Sequence, residues 1–195
     1  FTANISGANY LRGREGREGF PYILASIGTG TSVFMVTETG GKRVAGTAVG
    51  GGTILGLGRL LTGEMRYSDI VARATDGDRS MVDVLVRDIY GRDIPDLPGD
   101  VTASNFGKAL SNRKEDLARA PLQMVGEVIA TVACLAARGA HVQEIVYIGS
   151  SLRKNPIFRE VLDWSTHFLG NEPWFLQHGE FVGAVGALLK DPPKT

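Results

Sequence analysis

Hydrophobic and polar residues alternate in two ways along the first third of the chain, and each pattern predicts a different kind of element. Two runs rich in β-branched and aromatic residues, 22–28 and 32–38, flank a turn of glycine and hydroxyl residues, which predicts a β-hairpin. The segment "KRVAGTAVGGGT" adds a third strand that ends at consecutive glycines. From Thr53 onward, apolar residues recur every three or four positions, which predicts a helix.

Two shorter helices are predicted in the middle of the chain. Ser68 is expected to cap a helix that ends at Ala74. Residues 81–89 carry apolar side chains on neighbouring turns and are predicted to form the second helix. The segment "YGRDIPDLPGD" that follows is expected to be a loop, because prolines and glycines interrupt any regular pattern.

A long helix and two strand–helix units are predicted in the second half of the chain. Asn112 and Glu115 have the spacing of a capping box, which opens a helical pattern running to Ala137. Pro121 is expected either to kink this helix or to mark its start. The remaining predicted elements are strand 144–148, a helix from Asn155 to about Phe168, strand 173–177 and a helix over about 183–189.

The order of these elements predicts the fold class. The chain starts with apolar and small residues at helical spacing, such as Ile5 and Leu11, and then enters a loop of glycine, arginine and glutamate. We therefore expect residues 1–20 to be the end of a helix and a loop. Residues 21–195 are expected to form one α/β lobe, a mixed sheet with flanking helices.

Composition and charge argue against several classes of protein. Lys plus Arg and Asp plus Glu both number 21, so no bulk charge draws the chain to nucleic acid or to a membrane surface. No stretch resembles the roughly 20 apolar residues that span a bilayer, and the first residues do not resemble a signal peptide. The single cysteine, Cys134, lies in an apolar run and is interpreted as a buried thiol. These features predict a cytoplasmic protein.

The 26 glycines cluster where predicted strands meet loops or helices. The hairpin turn, Gly28 to Ser32, contains only glycine and hydroxyl residues, and consecutive N–H groups in such a turn form a nest for anions. Thr29, Thr31 and Ser32 would add hydroxyl donors to a phosphate site. An ordinary hairpin turn is the alternative interpretation, since glycine alone is sufficient for it.

Two further glycine segments predict ligand contacts. In "AVGGGTILGLGRLL", the free N–H groups of a helix N-terminus would face a phosphate or ribose at Gly51, Gly52 and Thr53. Close packing of strand on helix is an equally weighted alternative. In "IVYIGSSLRKN", Ser150 follows a buried strand, at the sheet edge where ligands gather in α/β folds.

One arginine and three histidines are further candidates for site residues. Arg43 lies near the end of a predicted strand, where its planar fork would pair with a carboxylate or phosphate, although most such arginines are solvated. His141, His167 and His178 have no metal-ligand spacing, so no structural metal site is predicted. The acidic residues of "DGDRSMVD" are interpreted as a charged rim or a helix cap.

Several motifs in the same order resemble one family. These are "IGTGTS", "KRVAGTAVGGGTILGLGRLLTG", "DGDRSMVDVLVRDIYG", "VTASNFGK", "KEDLARAPL", "IVYIGSSLRKNPIFREVL" and "FLQHGEFVGAVGALL". Together they resemble the type II pantothenate kinases, closer to the bacterial than to the animal form. This family belongs to the superfamily of acetate and sugar kinases, heat-shock ATPases and actin. The resemblance implies an actin-like ATPase lobe with a ribonuclease H-like sheet.

The resemblance also implies an activity and a set of site residues. The activity is ATP-dependent phosphorylation of pantothenate to 4′-phosphopantothenate with Mg²⁺, the first step of coenzyme A biosynthesis. Ser32 and Arg43 match positions that contact pantothenate, or the arm and phosphates of a bound coenzyme A thioester. A homodimer is implied through the helix containing Met124 to Cys134, with coenzyme A or an acyl-CoA as an inhibitor. The positions that match the nucleotide site are Thr29, Gly51, Gly52, Thr53, Ile54, Leu55, Tyr67 and Ser150.

Two features of the family pattern are missing. The first phosphate loop of the superfamily, an Asp-Gly-Gly-Thr type segment, does not occur in the sequence. The family's general-base glutamate aligns about one residue ahead of Phe1, and neither Glu15 nor Glu18 lies where it could replace that base. The chain is therefore expected to be the C-terminal lobe of the kinase, following the end of an inter-lobe helix, and to be inactive in isolation. The alternatives are a non-catalytic nucleotide- or coenzyme A-binding lobe, or another sugar kinase or ATPase of the superfamily.

Overall fold

The computed structural model describes residues 1–190, which form an α/β structure with seven strands and seven α-helices. In chain order these are α1 (Thr2–Arg14), β1 (Tyr22–Ile27), β2 (Thr31–Thr37), β3 (Gly40–Thr47), α2 (Gly51–Thr62), α3 (Tyr67–Ala74), β4 (Val84–Leu85), α4 (Val86–Tyr90), β5 (Thr102–Ser104), α5 (Lys114–Ala140), β6 (Glu144–Ile148), α6 (Pro156–Phe168), β7 (Glu172–Phe175) and α7 (Val182–Lys190). The chain divides into two compact units: residues 1–52 with the segment from residue 126 onward, and residues 53–125.

A five-stranded mixed sheet organises the first unit, as the sequence predicts. Its strand order is β3-β2-β1-β6-β7. The hairpin and β3 pair antiparallel, whereas β6 and β7 pair parallel to β1 and to each other. Every residue of β1 except Ser26 is buried, because this central strand is paired on both edges and covered on both faces.

Helices α1 and α7 cover one face of this sheet. The core on this side consists of Ile5, Ala8, Tyr22, Leu24, Phe34, Val36, Val146, Ile148, Leu176 and Val182. The two helices touch backbone to backbone at a pair of glycines. A Cβ atom at Gly7 would overlap the carbonyl oxygen of Val182, and one at Gly186 would overlap the carbonyl oxygen of Ala3. Residues 1–14 are thus an integral layer of the first unit.

Helix α6 begins where the sequence predicts it. The side chain of Asn155 accepts a hydrogen bond of 3.1 Å from the Phe158 N–H, and Pro156 occupies the first turn, where its missing N–H costs nothing. Farther along the helix, the hydroxyl of Thr166 lies 2.7 Å from the buried hydroxyl of Tyr147 in β6. This contact satisfies both polar groups within the core.

A buried arginine joins the end of α1 to the sheet. Arg12 is 1% exposed, and its Nη2 donates to Oε1 of Glu144 at 2.7 Å. Its Nη1 donates to the carbonyl of Gly19 at 3.1 Å, and its guanidinium carbon lies 3.9 Å from the centre of the Tyr22 ring. The charge is therefore paired, hydrogen-bonded and stacked, the three conditions under which a buried guanidinium is tolerated.

The second unit is held together by carboxylates that accept backbone hydrogen bonds. Asp116, which is 1% exposed, accepts from the Asp78 N–H at 2.8 Å, and the buried Asp83 accepts from the Phe106 N–H at 2.8 Å. Asp78 also caps a 3₁₀ turn by accepting from the Ser80 N–H at 2.9 Å. Part of the acidic segment is thus structural, in line with the helix-cap interpretation.

Two sequence predictions are wrong in this unit. Residues 81–89 do not form one helix, because β4 interrupts them by pairing with β5 before the short helix α4. Ser68 is not a cap: α3 begins at Tyr67 and its N-cap residue is Arg66. Both errors have the same origin, because a local sequence window contains neither β5, the strand that pairs with β4, nor the path of the chain before α3.

The long helix α5 begins at Lys114, so Pro121 lies inside it and does not mark its start. By length and composition α5 would be able to cross a bilayer, which differs from the expectation that no stretch does so. In the structure, 61% of its most apolar window is buried within the protein. Core helices of soluble proteins pass the same test, so the helix is no evidence for a membrane protein.

We predict that Gly7→Ala destabilises the fold, whereas Gly13→Ala in the same helix does not. The added methyl group at Gly7 meets backbone atoms of α7, which cannot rotate away, and overpacking of this kind costs about 1–3 kcal/mol. A methyl group at Gly13 has no neighbour within 4 Å and gains up to about 1 kcal/mol of helix propensity. Urea unfolding of both variants measures the difference, and equal stabilities would contradict the close crossing of α1 and α7.

We also predict that stability falls steeply at alkaline pH because of Tyr22. Burial raises the pKa of this phenol from 10.0 to about 12, so the folded state retains a proton that the unfolded state loses. The contribution of Tyr22 is complete below pH 10 and declines as pH rises towards 12, by up to about 1.4 kcal/mol per pH unit. Unfolding free energies between pH 9 and about 11 should fall less steeply for Tyr22→Phe than for the wild type. Tyr10→Phe, at an exposed tyrosine of α1, serves as the control and should retain the wild-type slope.

Candidate functional site

Three glycine-containing segments that the sequence singled out meet in the first unit. The hairpin tip Gly28–Gly30 contacts the start of α2, where the Gly51 N–H donates to the Gly28 carbonyl at 2.8 Å and the Gly52 N–H to the Thr29 carbonyl at 2.9 Å. The third segment joins through Ser151, whose Oγ lies 3.4 Å from the same Gly28 carbonyl. One carbonyl oxygen therefore accepts from both neighbouring segments.

Several glycines of this junction leave no space for a side chain of their own. A Cβ atom at Gly50 would lie 2.7 Å from the Thr29 carbonyl oxygen, and one at Gly30 would lie 2.9 Å from the Thr47 carbonyl oxygen. Gly149 follows β6 with a φ of 127°, and a Cβ atom there would overlap the Ile27 carbonyl oxygen. The junction requires glycine because its backbone segments pack directly against one another.

The contacts change the interpretation of the predicted phosphate donors. The N–H groups of Gly51 and Gly52 are already bonded to carbonyl oxygens, so the expectation that both are free at the helix N-terminus is wrong. The close-packing alternative describes these two glycines. The hydroxyl of Thr31 donates to the Val49 carbonyl at 2.9 Å and is buried, so it serves the junction as well.

Other predicted nucleotide residues are more accessible. Thr29 is exposed at the hairpin tip, and Ser150 is exposed at the end of β6. Tyr67 and the helix residues Thr53, Ile54 and Leu55 belong to the second unit, where Tyr67 is half-buried at the first position of α3. Ile54 is fully buried, so its side chain serves the core rather than a ligand.

The predicted substrate residues Ser32 and Arg43 lie together on the sheet face that carries α1. Ser32 alternates with the core residue Phe34 along β2, and Arg43 is the cross-strand partner of Phe34 in β3. The Nε of Arg43 donates to the Ser32 hydroxyl at 3.4 Å. Within residues 1–190, no carboxylate forms an ion pair with Arg43, so its charge is available to an anionic ligand.

Two polar residues on this face escaped the sequence analysis. Ser26 is the cross-strand partner of Ser32, and its hydroxyl accepts from Nδ2 of Asn4 in α1 at 3.3 Å. The signal was present in β1, where a serine continues the alternation of the core-facing residues Tyr22 and Leu24. A polar residue at a core-facing position indicates either a buried hydrogen bond or a ligand-binding site.

These contacts define a polar strip across the edge of an apolar face: Asn4, Ser26, Ser32 and Arg43. It lies beside the hairpin tip, because Ser26 and Ser32 are the next-to-last residue of β1 and the second of β2. The first turn of α1 lies over the same face, where the Phe1 ring centre is 5.3 Å from that of Phe34. The strip offers a fixed positive charge and neutral hydroxyls, which suits a ligand with a carboxylate and hydroxyl or amide groups.

In the part of the chain that the structure describes, no three His, Cys, Asp or Glu side chains converge to hold a metal ion.

Comparison with solved structures identifies the fold. Xylulose kinase from Bifidobacterium adolescentis superposes with a TM-score of 0.54 at 17% identity, covering 94% of this chain and 40% of that one. A ROK family glucokinase from Streptomyces griseus, solved with glucose and AMPPNP, superposes with a TM-score of 0.55 at 10% identity. That match covers 94% of this chain and 65% of the glucokinase. The chain thus has the actin-like fold of these sugar kinases.

Comparison of sequences identifies the family. Residues 2–190 match the Fumble family. The type II pantothenate kinase of Staphylococcus haemolyticus (strain JCSC1435) is 39% identical over 193 residues, which cover 96% of this chain and 73% of that protein. The enzyme of the same name from Staphylococcus aureus (strain USA300) is also 39% identical, with 96% of this chain and 72% of the relative covered. This chain therefore belongs to the type II pantothenate kinase family.

Proposed function

We propose that this chain is the C-terminal lobe of a cytoplasmic kinase that uses ATP to phosphorylate pantothenate at its primary hydroxyl, giving 4′-phosphopantothenate. The observation that carries the proposal is the polar strip, in which an unneutralised arginine and a serine lie beside the hairpin loop. Membership of the type II pantothenate kinase family supports pantothenate as the substrate. The reaction would be the first step of coenzyme A biosynthesis.

Arg43 and Ser32 are proposed to bind the substrate. A guanidinium pairs with a carboxylate through two parallel N–H donors, which fixes the orientation of the ligand as well as binding it. Pantothenate carries one carboxylate, and Arg43 is exposed and has no carboxylate partner within the described chain. The Ser32 hydroxyl, 3.4 Å from Nε of Arg43, would hydrogen-bond the same end of the substrate.

The nucleotide is proposed to bind beside the glycine junction. Thr29 is exposed at the hairpin tip and offers a hydroxyl donor to a ligand phosphate. Ser150, exposed at the end of β6, is proposed to contribute a further hydroxyl to the site. Tyr67, Thr53 and Leu55, which belong to the second unit, stay predictions from the family resemblance. When bound, ATP would supply the phosphoryl group, and Mg²⁺ would balance the charge of the phosphates.

By the family resemblance, the general base is proposed to be a glutamate that precedes α1, which a protein carrying sequence ahead of Phe1 would supply. The position is chemically suitable, because the first turn of α1 lies over the face that carries Ser32 and Arg43. Contacts of Phe1 with Phe34 and of Asn4 with Ser26 hold that turn in place. A carboxylate at the start of this helix would reach a substrate hydroxyl above the strip.

A homodimer through α5 is proposed as well. This helix presents Val132, Ala136 and the 59%-exposed Leu135 to a groove of about 550 Å³, whose other side includes Met35 and Val44. Apolar side chains around such a groove support contact with another protein surface. Coenzyme A or an acyl-CoA is proposed as an inhibitor that shares the Arg43 site.

We predict that residues 1–195 alone do not phosphorylate pantothenate, whereas the full-length gene product does. A protein limited to residues 1–195 would lack the base proposed above, so the substrate hydroxyl would keep its proton. A coupled ADP-release assay with pantothenate, pantetheine and N-acetylglucosamine tests both proteins. Turnover by the isolated chain would overturn the assignment of the base. A full-length product that phosphorylates only the sugar, or nothing, would favour the sugar-kinase or binding-module alternative.

We further predict that Arg43→Ala and Thr29→Val affect different kinetic constants of the full-length kinase. Loss of a charge-assisted pair costs about 1.5–3 kcal/mol, so Arg43→Ala should raise KM for pantothenate by about tenfold or more while KM for ATP stays unchanged. Thr29→Val keeps the volume but removes a donor to the transferred phosphoryl group, so it should lower kcat. Steady-state kinetics with each substrate varied would contradict these roles if the two variants behaved alike.

A further inference from the structure

We propose that Gly46 and the β-bulge at Val44 together orient the guanidinium of Arg43 towards the substrate. The inference rests on the proposed function, because it concerns the same substrate site. It adds a positioning residue, Gly46, which contacts no ligand itself and acts through Arg43.

The bulge decides which face of the sheet Arg43 occupies. Phe34 pairs with Arg43 and Val33 pairs with Ala45, so Val44 is an extra residue in β3. In an uninterrupted strand, residues three positions apart point to opposite faces. The extra residue shifts this alternation, so that Arg43 comes to lie on the same face as Gly46. Bulges are known to re-aim side chains in this way.

The pairing register of β2 and β3 then places both Arg43 and Gly46 beside Ser32. Gly46 is the cross-strand partner of Ser32, and Arg43 is the partner of the next core-facing residue of β2, Phe34. In a regular pairing that kept Gly46 opposite Ser32, Arg43 would pair with Met35 and face the other side of the sheet. The bulge therefore lets Gly46 lie opposite Ser32 while Nε of Arg43 contacts the Ser32 hydroxyl at 3.4 Å.

Gly46 supplies the space in which the guanidinium lies. A Cβ atom at Gly46 would overlap Nη2 of Arg43 and lie 3.0 Å from its Cζ. The guanidinium is thus laid along the bare backbone of Gly46, with Nε towards Ser32. The φ of Gly46 is not in the left-handed region, so its backbone conformation does not by itself require glycine.

This arrangement matters because an exposed arginine is otherwise free to rotate. Immobilising such a side chain on ligand binding costs about 0.5–1.5 kcal/mol, which a preorganised guanidinium avoids. The guanidinium packs on the backbone of Gly46 and lies beside Ser32. Both contacts restrict the rotation of the Arg43 side chain before a ligand binds. The structure thereby explains how an arginine on an edge strand presents its donors in one direction.

Gly46→Ala separates this role from a purely structural one. The methyl group mainly meets the flexible end of Arg43, although the Thr31 carbonyl oxygen, 2.9 Å away, must also shift slightly. We expect KM for pantothenate to rise about threefold to tenfold in the full-length kinase, with kcat and KM for ATP within about twofold of wild type. A variant that lost kcat and stability with an unchanged KM for pantothenate would show that Gly46 serves only strand packing.

Gly41→Ala is the matched control on the same strand. Its Cβ atom would lie 3.0 Å from the Met35 carbonyl oxygen and 3.0 Å from the Ile5 side chain, so it crowds β3 to a similar degree away from Arg43. We expect this variant to alter stability without raising KM for pantothenate. An equal rise of KM in both variants would overturn the proposal.

A double-mutant cycle tests whether Gly46 acts through Arg43. In the Arg43→Ala background, Gly46→Ala should leave KM for pantothenate unchanged, because the side chain it displaces is absent. Additive effects of the two substitutions would contradict the positioning role.

An NMR measurement separates failure of this inference from failure of the proposed function. The Nε–H signal of Arg43, assigned by its loss in Arg43→Lys, should shift and sharpen in Gly46→Ala as the side chain becomes mobile. If the wild-type kinase did not use pantothenate but the signal changed in this way, the proposed function would fail while the positioning by Gly46 would hold. An unchanged signal would overturn the positioning even in an active kinase.

Discussion

Two hydrogen bonds, from the N–H groups of Gly51 and Gly52 to the carbonyl oxygens of Gly28 and Thr29, join the hairpin tip to the start of α2. This contact is possible only because no side chain stands between the two backbones. The remaining hairpin and loop contacts follow from it, including the buried hydroxyl of Thr31 and the approach of Ser151 to Gly28. The tip is consequently a rigid corner of the first unit, from which Thr29 is exposed.

The same principle operates on the sheet face that carries α1 and α7. Gly7 and Gly186 let α1 and α7 approach backbone to backbone, and Arg12 joins the far end of α1 to Glu144. Helix α1 is therefore fixed along its whole length, with its first turn above the polar strip. The contacts of Phe1 with Phe34 and of Asn4 with Ser26 hold the start of α1 against the face that carries Ser32.

Polarity on this face is graded along the strands. The centre is an apolar core that includes Tyr22, Leu24 and Phe34. Ser26 and Ser32 lie at the end near the hairpin tip, and the Arg12–Glu144 pair lies at the other end. The residues proposed to bind the substrate thus lie at one end of this face, where β1 ends and β2 begins.

The sequence by itself determined the order of the elements and the strands of the main sheet, because hydrophobic periodicity and caps such as Asn155 are local signals. It also identified the glycine segments and the Ser32 and Arg43 pair, through motifs that resemble one family. Only the tertiary structure decided that β4 interrupts residues 81–89, because strand pairing is a long-range contact. The tertiary structure alone also decided that the N–H groups of Gly51 and Gly52 are hydrogen-bonded and that Arg43 lies on the α1 face. The first result depends on carbonyl groups of the hairpin tip and the second on a one-residue bulge, and neither is predicted by the local sequence.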